Sequence, residues 1–286
     1  MDKNYGFTGG YNKGLDQIEA NYFVILNSDV EIKESWIEPI VKVMEANSKI
    51  AACQPKIKSL KKQGHFEYAG AAGGWMDNLG YPFCRGRILD FAEKDKGQYD
   101  EPQEIFWATG AAMICKAQLF KNMGGFDESY FAHMEEIDLC WRMKNAGYTI
   151  MAFPKVAVFH LGGGTLQYDS PNKIYFNFRN NLFTLFKNEK ILKLIWLIPL
   201  RLILDGVAGI QFISKGKFRL CMNIIYAHLS FYKFIFRTIS KRKDNQILIN
   251  QFRVGPPTNE GKFKGSIILN YFFKGNKTWN QLFNKR

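Results

Sequence analysis

The sequence predicts an α/β fold, a sheet with helices on its faces, followed by a basic helical extension. Three observations carry this expectation. The continuous apolar run Tyr22-Phe23-Val24-Ile25-Leu26 has strand length and stops abruptly at Asn27-Ser28-Asp29, the pattern of a buried, parallel strand ending in polar groups. From Glu34 onward Trp36, Ile37, Ile40, Val41 and Met44 recur at helical spacing, and Ile50-Ala51-Ala52-Cys53 reads as the next strand. Alternation of strand and helix in this manner places helices on the faces of a sheet.

The remaining elements follow in order. The glycine-rich start, Gly6 to Gly14, leads into a short helix near Leu15. Between Lys58 and Glu104 glycine, aromatic and charged residues show little periodicity, which predicts a functional or disordered loop. Order returns at Ile105 to Cys115, with a short helix near Gln118 and a turn at Gly124-Gly125-Phe126-Asp127. A helix is predicted from about Glu135 to Ala146, stopped by Gly147. Thr149–Phe153 and Val156–Phe159 read as two strands broken by Pro154, the second delivering His160 into Leu161-Gly162-Gly163-Gly164.

The 286 residues carry a formal charge of +13, distributed unevenly. Residues 1–186 sum to −2 and residues 187–286 to +15, so the basic character belongs to the tail. This distribution argues against a nucleic-acid-binding protein, as does the absence of a recognised nucleic-acid module. The five cysteines show no C-x-x-C pairing and there is no N-terminal apolar leader, which fits a reduced, cytoplasmic compartment. Ile191 to Ile213 is long and apolar but interrupted by Lys193, Pro199, Arg201 and Asp205. Lys190, Lys193, Arg201 and Asp205 fall within one third of the helical circumference, the pattern of a helix lying in a membrane interface. Together with Lys241-Arg242-Lys243 it predicts peripheral attachment to an anionic membrane surface, the inner face of the cell membrane. The competing expectation is a helical hairpin packed on the catalytic part or on a partner in a homodimer.

Three groups of residues bear chemistry. Asp29 directly follows an apolar strand, where open α/β sheets bind ligands and where a carboxylate can hold a divalent cation; the alternative is a simple helix cap. Glu135, Glu136 and Asp138 crowd three carboxylates at a helix start, suited to a general base in a pocket or to a solvated face favoured by the helix dipole. His160, alone, reads as a core histidine; with the other two groups it reads as a metal ligand.

The order Gly6-Phe7-Thr8-Gly9-Gly10-Tyr11-Asn12-Lys13-Gly14, Leu26-Asn27-Ser28-Asp29-Val30, Thr109-Gly110-Ala111-Ala112-Met113, Gly124-Gly125-Phe126-Asp127-Glu128 through Glu135-Glu136-Ile137-Asp138-Leu139-Cys140, and Val158-Phe159-His160 resembles the bacterial family-2 glycosyltransferases of rhamnosyltransferase-like type. The resemblance spans residues 4 to about 188 and implies a GT-A fold, a Rossmann-like mixed sheet, as a partial catalytic domain over 1–188 with a membrane-associating extension over 189–286. It implies inverting transfer from a UDP- or dTDP-sugar to a saccharide or lipid-linked saccharide in cell-surface polysaccharide synthesis. By it, Asp29 and His160 hold Mg²⁺ or Mn²⁺ and Glu136, with Glu135 as fallback, is the catalytic base. Glu136 stands where the family commonly has Asp. By the same resemblance Trp107 and Gly110 line the sugar pocket, Gly10, Asn12 and Asn27 belong to motifs around the donor and acceptor, and Asp138 orients the helix or the acceptor. Apart from it, Arg85 and Arg87 in the loop over 64–104 are expected either to touch phosphates or, as loop arginines more often are, to be solvated. The family has a strand-helix-strand segment ahead of the glycine-rich motif, so the chain is expected to be N-terminally truncated relative to it. A non-catalytic remnant that binds membrane or a partner is therefore the competing function.

Overall fold

The computed structural model describes residues 3–162 and 170–283. Gly163 and Gly164, part of the glycine run after His160, lie outside the described residues. In chain order the elements are α1 (Gly6–Asp16), β1 (Tyr22–Leu26), β2 (Val30–Glu31), α2 (Ile37–Ala46), β3 (Ile50–Ser59), β4 (Gly74–Asp77), β5 (Pro82–Cys84), β6 (Arg87–Ile88), β7 (Phe91–Ala92), β8 (Gln103–Ile105), β9 (Ala112–Lys116), α3 (Ala117–Asn122), α4 (Glu135–Asn145) and β10 (Thr149–His160). The tail adds α5 (Pro171–Asn188), α6 (Ile191–Ser214), α7 (Phe218–Lys233), α8 (Ile235–Gln251), β11 (Lys262–Phe263), α9 (Ile267–Phe272) and α10 (Trp279–Phe283).

The main sheet is mixed, with order β1-β9-β3-β10-β2 and β8 added on β10. β3 and β10 run parallel, whereas β1 pairs antiparallel with β9 at the sheet edge. The expectation of a parallel β1 is thereby corrected. Its apolar run is continuous because both faces are covered: Phe23 and Ile25 enter one core cluster, while Tyr22, Val24 and Leu26 pack against another built around Trp36, Ile40 and Met44 of the α2 region. β10 also differs from expectation. It runs through Pro154 as one strand, and the pairing with β3 shifts register between Phe153 and Ala157, which absorbs the missing N–H.

The stretch expected to be an irregular loop folds instead into a second sheet, β11-β4-β5-β6-β7. Its short strands are separated by tight turns, so no segment is long enough to show periodicity. β11 comes from the far end of the chain and pairs parallel with β4. Ile267, Trp279 and Leu282 join the same core cluster as Phe23, Phe106 and Trp141, and Trp279 meets Trp75 edge-on at 4.6 Å. The tail after residue 188 is thus not one extension. α6 to α8 form a helical layer, and residues after 251 return to the sheet-bearing part.

α6 presents its faces differently from a free interfacial helix. Leu194, Leu197, Arg201, Asp205 and Gly209 face inward. Arg201 donates to the Leu79 carbonyl at 2.9 Å, stacks on Tyr81 at 3.7 Å and pairs with Asp205 at 3.5 Å, and Asp205 also meets His228 of α7 at 3.2 Å. The charges that read as a water-facing stripe therefore anchor the helix to the β4–β5 turn and to α7.

Gly147 ends α4 in the left-handed region at φ 90°, and a Cβ there would stand 2.6 Å from the Gly255 backbone. Gly147→Ala is expected to destabilise the protein by about 1–3 kcal/mol, from backbone strain plus overpacking. A chemical-denaturation midpoint that does not fall would contradict this.

Candidate active site

Strand pairing builds one half of the site. β2 pairs antiparallel with the end of β10 in the register His160 with Val30, and the Leu161 N–H donates to the Asp29 carbonyl at 3.0 Å. Asp29 is thereby held against His160, with Oδ1 3.1 Å from Nε2. The Asn27 side-chain amide stands 3.5 Å from the same nitrogen. On the other side of the ring, Glu67 Oε2 lies 3.1 Å from Nδ1. Burial alone disfavours the imidazolium, but the neighbouring Glu67 carboxylate, with that of Asp29, outweighs it and raises the His160 pKa.

The other half hangs on α4. The Asn27 N–H bonds to the Ala111 carbonyl at 3.0 Å, so the Asp29 turn sits beside Gly110. The Gly110 backbone in turn hydrogen-bonds the Glu136 carboxylate. A Cβ added to Gly110 would stand 3.9 Å from the Glu136 Cβ, so Glu136 and the Asp29 turn flank the same 110–111 segment. Burial raises the pKa of both Glu135 and Glu136, and Glu135 is driven higher because the Glu136 charge adds to burial. Backbone N–H groups oppose the rise at Glu136, so it is the less strongly raised of the pair.

The segment that presents these acids is strained. Phe131, His133 and Met134 all have positive φ, at 65°, 70° and 74°. Asn180, fully buried in α5, donates to the carbonyls of Tyr130 at 3.1 Å, Ala132 at 2.8 Å and His133 at 2.8 Å. Arg179 adds bonds to the carbonyls of Ser129 and Tyr130. The His133 pKa is pushed down to about 4 by burial and by the Lys173 charge. His133 Nε2, Glu135 Oε2, Glu136 Oε2 and His160 Nδ1 are buried without a well-aligned hydrogen-bond partner.

Several residues expected at the site do other work. Trp107 is buried in the core, its Nε1–H donating to the Trp75 carbonyl at 2.9 Å, so it does not line a sugar pocket. Arg85 is also buried. Its guanidinium is spent on the carbonyls of Ala72, Tyr99 and Glu101 and on Gln103, because the loop that was expected to expose it folds as the second sheet. Asn12 brackets Phe126, accepting from its N–H at 2.9 Å and donating to its carbonyl at 2.8 Å, and so ties α1 to the turn before Tyr130. Gly10 lies in α1, where an added Cβ would meet no atom within 4 Å, so no close backbone approach requires a glycine there. Asp138, fully buried, bonds Arg142 at 3.0 Å, Lys187 at 3.1 Å and Asn188 at 2.7 Å, and so locks α4 to α5.

Asp29 and His160 suit a divalent cation by chemistry: one hard oxygen and one imidazole nitrogen, 3.1 Å apart. Among the described residues no group of three or more His, Cys, Asp or Glu side chains is arranged to hold a metal ion, so a bound substrate would have to supply further oxygens.

The fold is GT-A-like. The structure of GalNAc-T7 with UDP, GalNAc and Mn²⁺ superposes on 82% of this chain and 45% of its own at TM-score 0.51 and 14% identity, a likeness of fold. Residues 1–118 match glycosyl transferase family 2. A low-salt glycan biosynthesis hexosyltransferase of Haloferax volcanii is 24% identical over 183 residues, 62% of this chain and 56% of its own length. An N-acetylglucosaminyl-diphospho-decaprenol L-rhamnosyltransferase of Mycobacterium tuberculosis is 37% identical over 62 residues, 21% of this chain and 20% of its own. The chain thus spans less than two thirds of the length of these curated relatives.

The two acids of α4 should separate on substitution. Asp138→Asn breaks a buried ion network and is expected to cost about 3–5 kcal/mol of stability. Glu136→Gln removes a buried charge that has no ionic partner and should leave the unfolding midpoint equal or higher. Parallel denaturation curves check the contrast, and a larger loss in Glu136→Gln would overturn it.

Proposed function

We propose that this protein is an inverting glycosyltransferase that moves a sugar from a UDP- or dTDP-sugar to a saccharide or lipid-linked saccharide acceptor. The observation that carries this reading is the Asp29–His160 contact at 3.1 Å, with the Asp29 turn bonded to Ala111 and the neighbouring Gly110 lying against Glu136, whose Oε2 has no hydrogen-bond partner. Inversion needs one base on the face opposite the leaving group. Glu136 accepts the proton of the acceptor hydroxyl, while Glu135, with the more strongly raised pKa, stays protonated beside it and does not add a second negative charge. Asp29 and His160 Nε2 would hold Mg²⁺ or Mn²⁺, which when bound supplies electrostatic stabilisation of the departing diphosphate. Gly110 aims the base through its backbone bond to the carboxylate.

Burial raises the Glu136 pKa, so the fraction of deprotonated base grows as pH rises through that raised value. The acid limb of kcat/KM should therefore lie above the usual carboxylate pKa of about 4.3. Mn²⁺-dependent donor hydrolysis, measured with UDP- and dTDP-sugars, should fall at least about 100-fold in Asp29→Ala and in Glu136→Gln. Full activity in either variant, or absence of nucleotide binding by the intact protein, sinks the proposal.

The acceptor reading draws on the helical layer. No helix among the described residues is long and apolar enough to cross a membrane. The outward face of α6, however, exposes Ile191, Leu192, Ile195, Trp196, Ile203, Val207 and Ile210, and α7 and α8 continue it with Leu229, Tyr232 and Phe236. Lys190, Lys215, Lys217, Arg219 and Arg237 are exposed on the same helices and their ends. An apolar face bordered by cations fits the headgroup boundary of an anionic leaflet, and it brings the enzyme to a lipid-linked acceptor on the cytoplasmic side. Flotation with phosphatidylglycerol-containing vesicles should recover the intact protein and lose Trp196→Glu/Ile203→Glu. Truncation after Asn188 is a poor test, since it removes the core residues Ile267, Trp279 and Leu282. Equal flotation of the double variant would exclude this face as the contact.

A further inference from the structure

One buried acid at the site has no part in the reaction proposed above. Glu67 lies between β3 and β4, 4% exposed, with Oε2 3.1 Å from His160 Nδ1, while His160 Nε2 is 3.1 Å from Asp29 Oδ1. The imidazole thus bridges two carboxylates. Its two nitrogens cannot serve the same purpose, since a ring nitrogen binds a cation only through a free lone pair. Nε2 stands beside both Asp29 and Asn27, whereas Nδ1 faces Glu67, so a proton on Nδ1 is the arrangement that frees the Nε2 lone pair for a cation shared with Asp29.

Glu67 is itself held in place. Its N–H donates to the Ile57 carbonyl at 3.0 Å, its neighbour Phe66 pairs with Lys58, and the Ala69 N–H donates to Oε2 at 2.5 Å. The loop after it turns at Gly70, whose carbonyl accepts from the buried Gln54 amide at 3.2 Å. Gln54 also accepts the Thr109 N–H at 3.0 Å, which connects the same loop to the strand end beside Gly110. A surface acid that met His160 by chance would have none of these constraints.

We propose that Glu67 is the positioning residue of the cation site: accepting the Nδ1–H of His160, it fixes the ring tautomer and orientation that present Nε2 beside Asp29 to a divalent cation. The inference rests on the reading of Asp29 and His160 as cation ligands. A purely structural ion pair would stabilise the fold without tuning cation affinity, and the two roles separate by experiment. Mn²⁺ binding to the intact protein in the presence of UDP, followed by the loss of the free-ion electron paramagnetic resonance signal, gives the affinity without turnover. Glu67→Ala is expected to weaken Mn²⁺ binding about 10- to 100-fold. Glu67→Gln, whose amide oxygen accepts the same Nδ1–H, should restore most of that loss. In a His160→Ala background the Glu67→Ala change should have no further effect.

Unchanged affinity in Glu67→Ala, equal loss in the Ala and Gln variants, or an undiminished effect of Glu67→Ala without His160 each overturns the positioning role. Failure of the unsubstituted protein to bind Mn²⁺ overturns the cation site itself, and this inference with it, and so is distinguishable from the others. Should Glu67→Ala not fold, the Glu67→Gln and His160→Ala pair completes the comparison, with Gln expected within a few-fold of the unsubstituted protein and His160→Ala far weaker.

Discussion

The site depends on the hold that α5 keeps over the backbone ahead of α4. Three residues in the left-handed region within four positions cost roughly 1–2 kcal/mol each, and a free chain would relax them. Asn180 and Arg179 prevent this by donating to the carbonyls of residues 129, 130, 132 and 133. Each of those carbonyls is turned toward α5 by the unusual backbone, so strain and hydrogen bonding select the same conformation. The first turn of α4 consequently emerges with Glu135 and Glu136 aimed inward.

A second constraint fixes α5 itself. Lys187 reaches Asp127 at 2.7 Å and Asp138 at 3.1 Å, and Asn188 reaches Asp138 at 2.7 Å, all in the interior. Burial works against the Asp127 charge, but the Lys187 ammonium outweighs it and holds that carboxyl far below the usual range. Arg142 and Lys187 together offset the buried Asp138. Such an ion network contributes little net stability compared with apolar packing, but it tolerates no partial loss. It sets the spacing between the helix that bears the acids and the helix that clamps them. The half that bears the main sheet and the tail are therefore tied together, reinforced by the return of β11 and α10 to the first core.

Much of this is legible in the sequence, and the limits have physical reasons. Asp29 and His160 can be found because apolar strands end at them, and a strand end in an open sheet is a place as well as a pattern. Spacing alone cannot divide the acids of α4, because three carboxylates in one turn look alike until the interior side of the helix is known. Asp138 points to Arg142 and Lys187; Glu136 does not. Trp107, Arg85 and Asn12 read as ligand contacts, although their polar atoms satisfy carbonyls and amides of distant segments. Those partners lie well over ten residues away, beyond any local signal. Glu67 escapes a sequence reading for the same reason: a single acid in an aperiodic stretch acquires meaning only when the second sheet folds and brings it to His160. The tail illustrates the converse. Its amphipathic pattern is visible, but not which face turns inward.

That inward turn of Arg201 and Asp205 has a practical consequence for the molecule in solution. With its charges committed to Leu79, Tyr81 and His228, α6 has no polar side left to rotate toward water. Dilution into detergent-free buffer would leave this greasy flank to find another of its kind, and self-association or adsorption to plastic would follow. Mild micelles or lipid nanodiscs are thus the natural medium in which to purify and assay the chain.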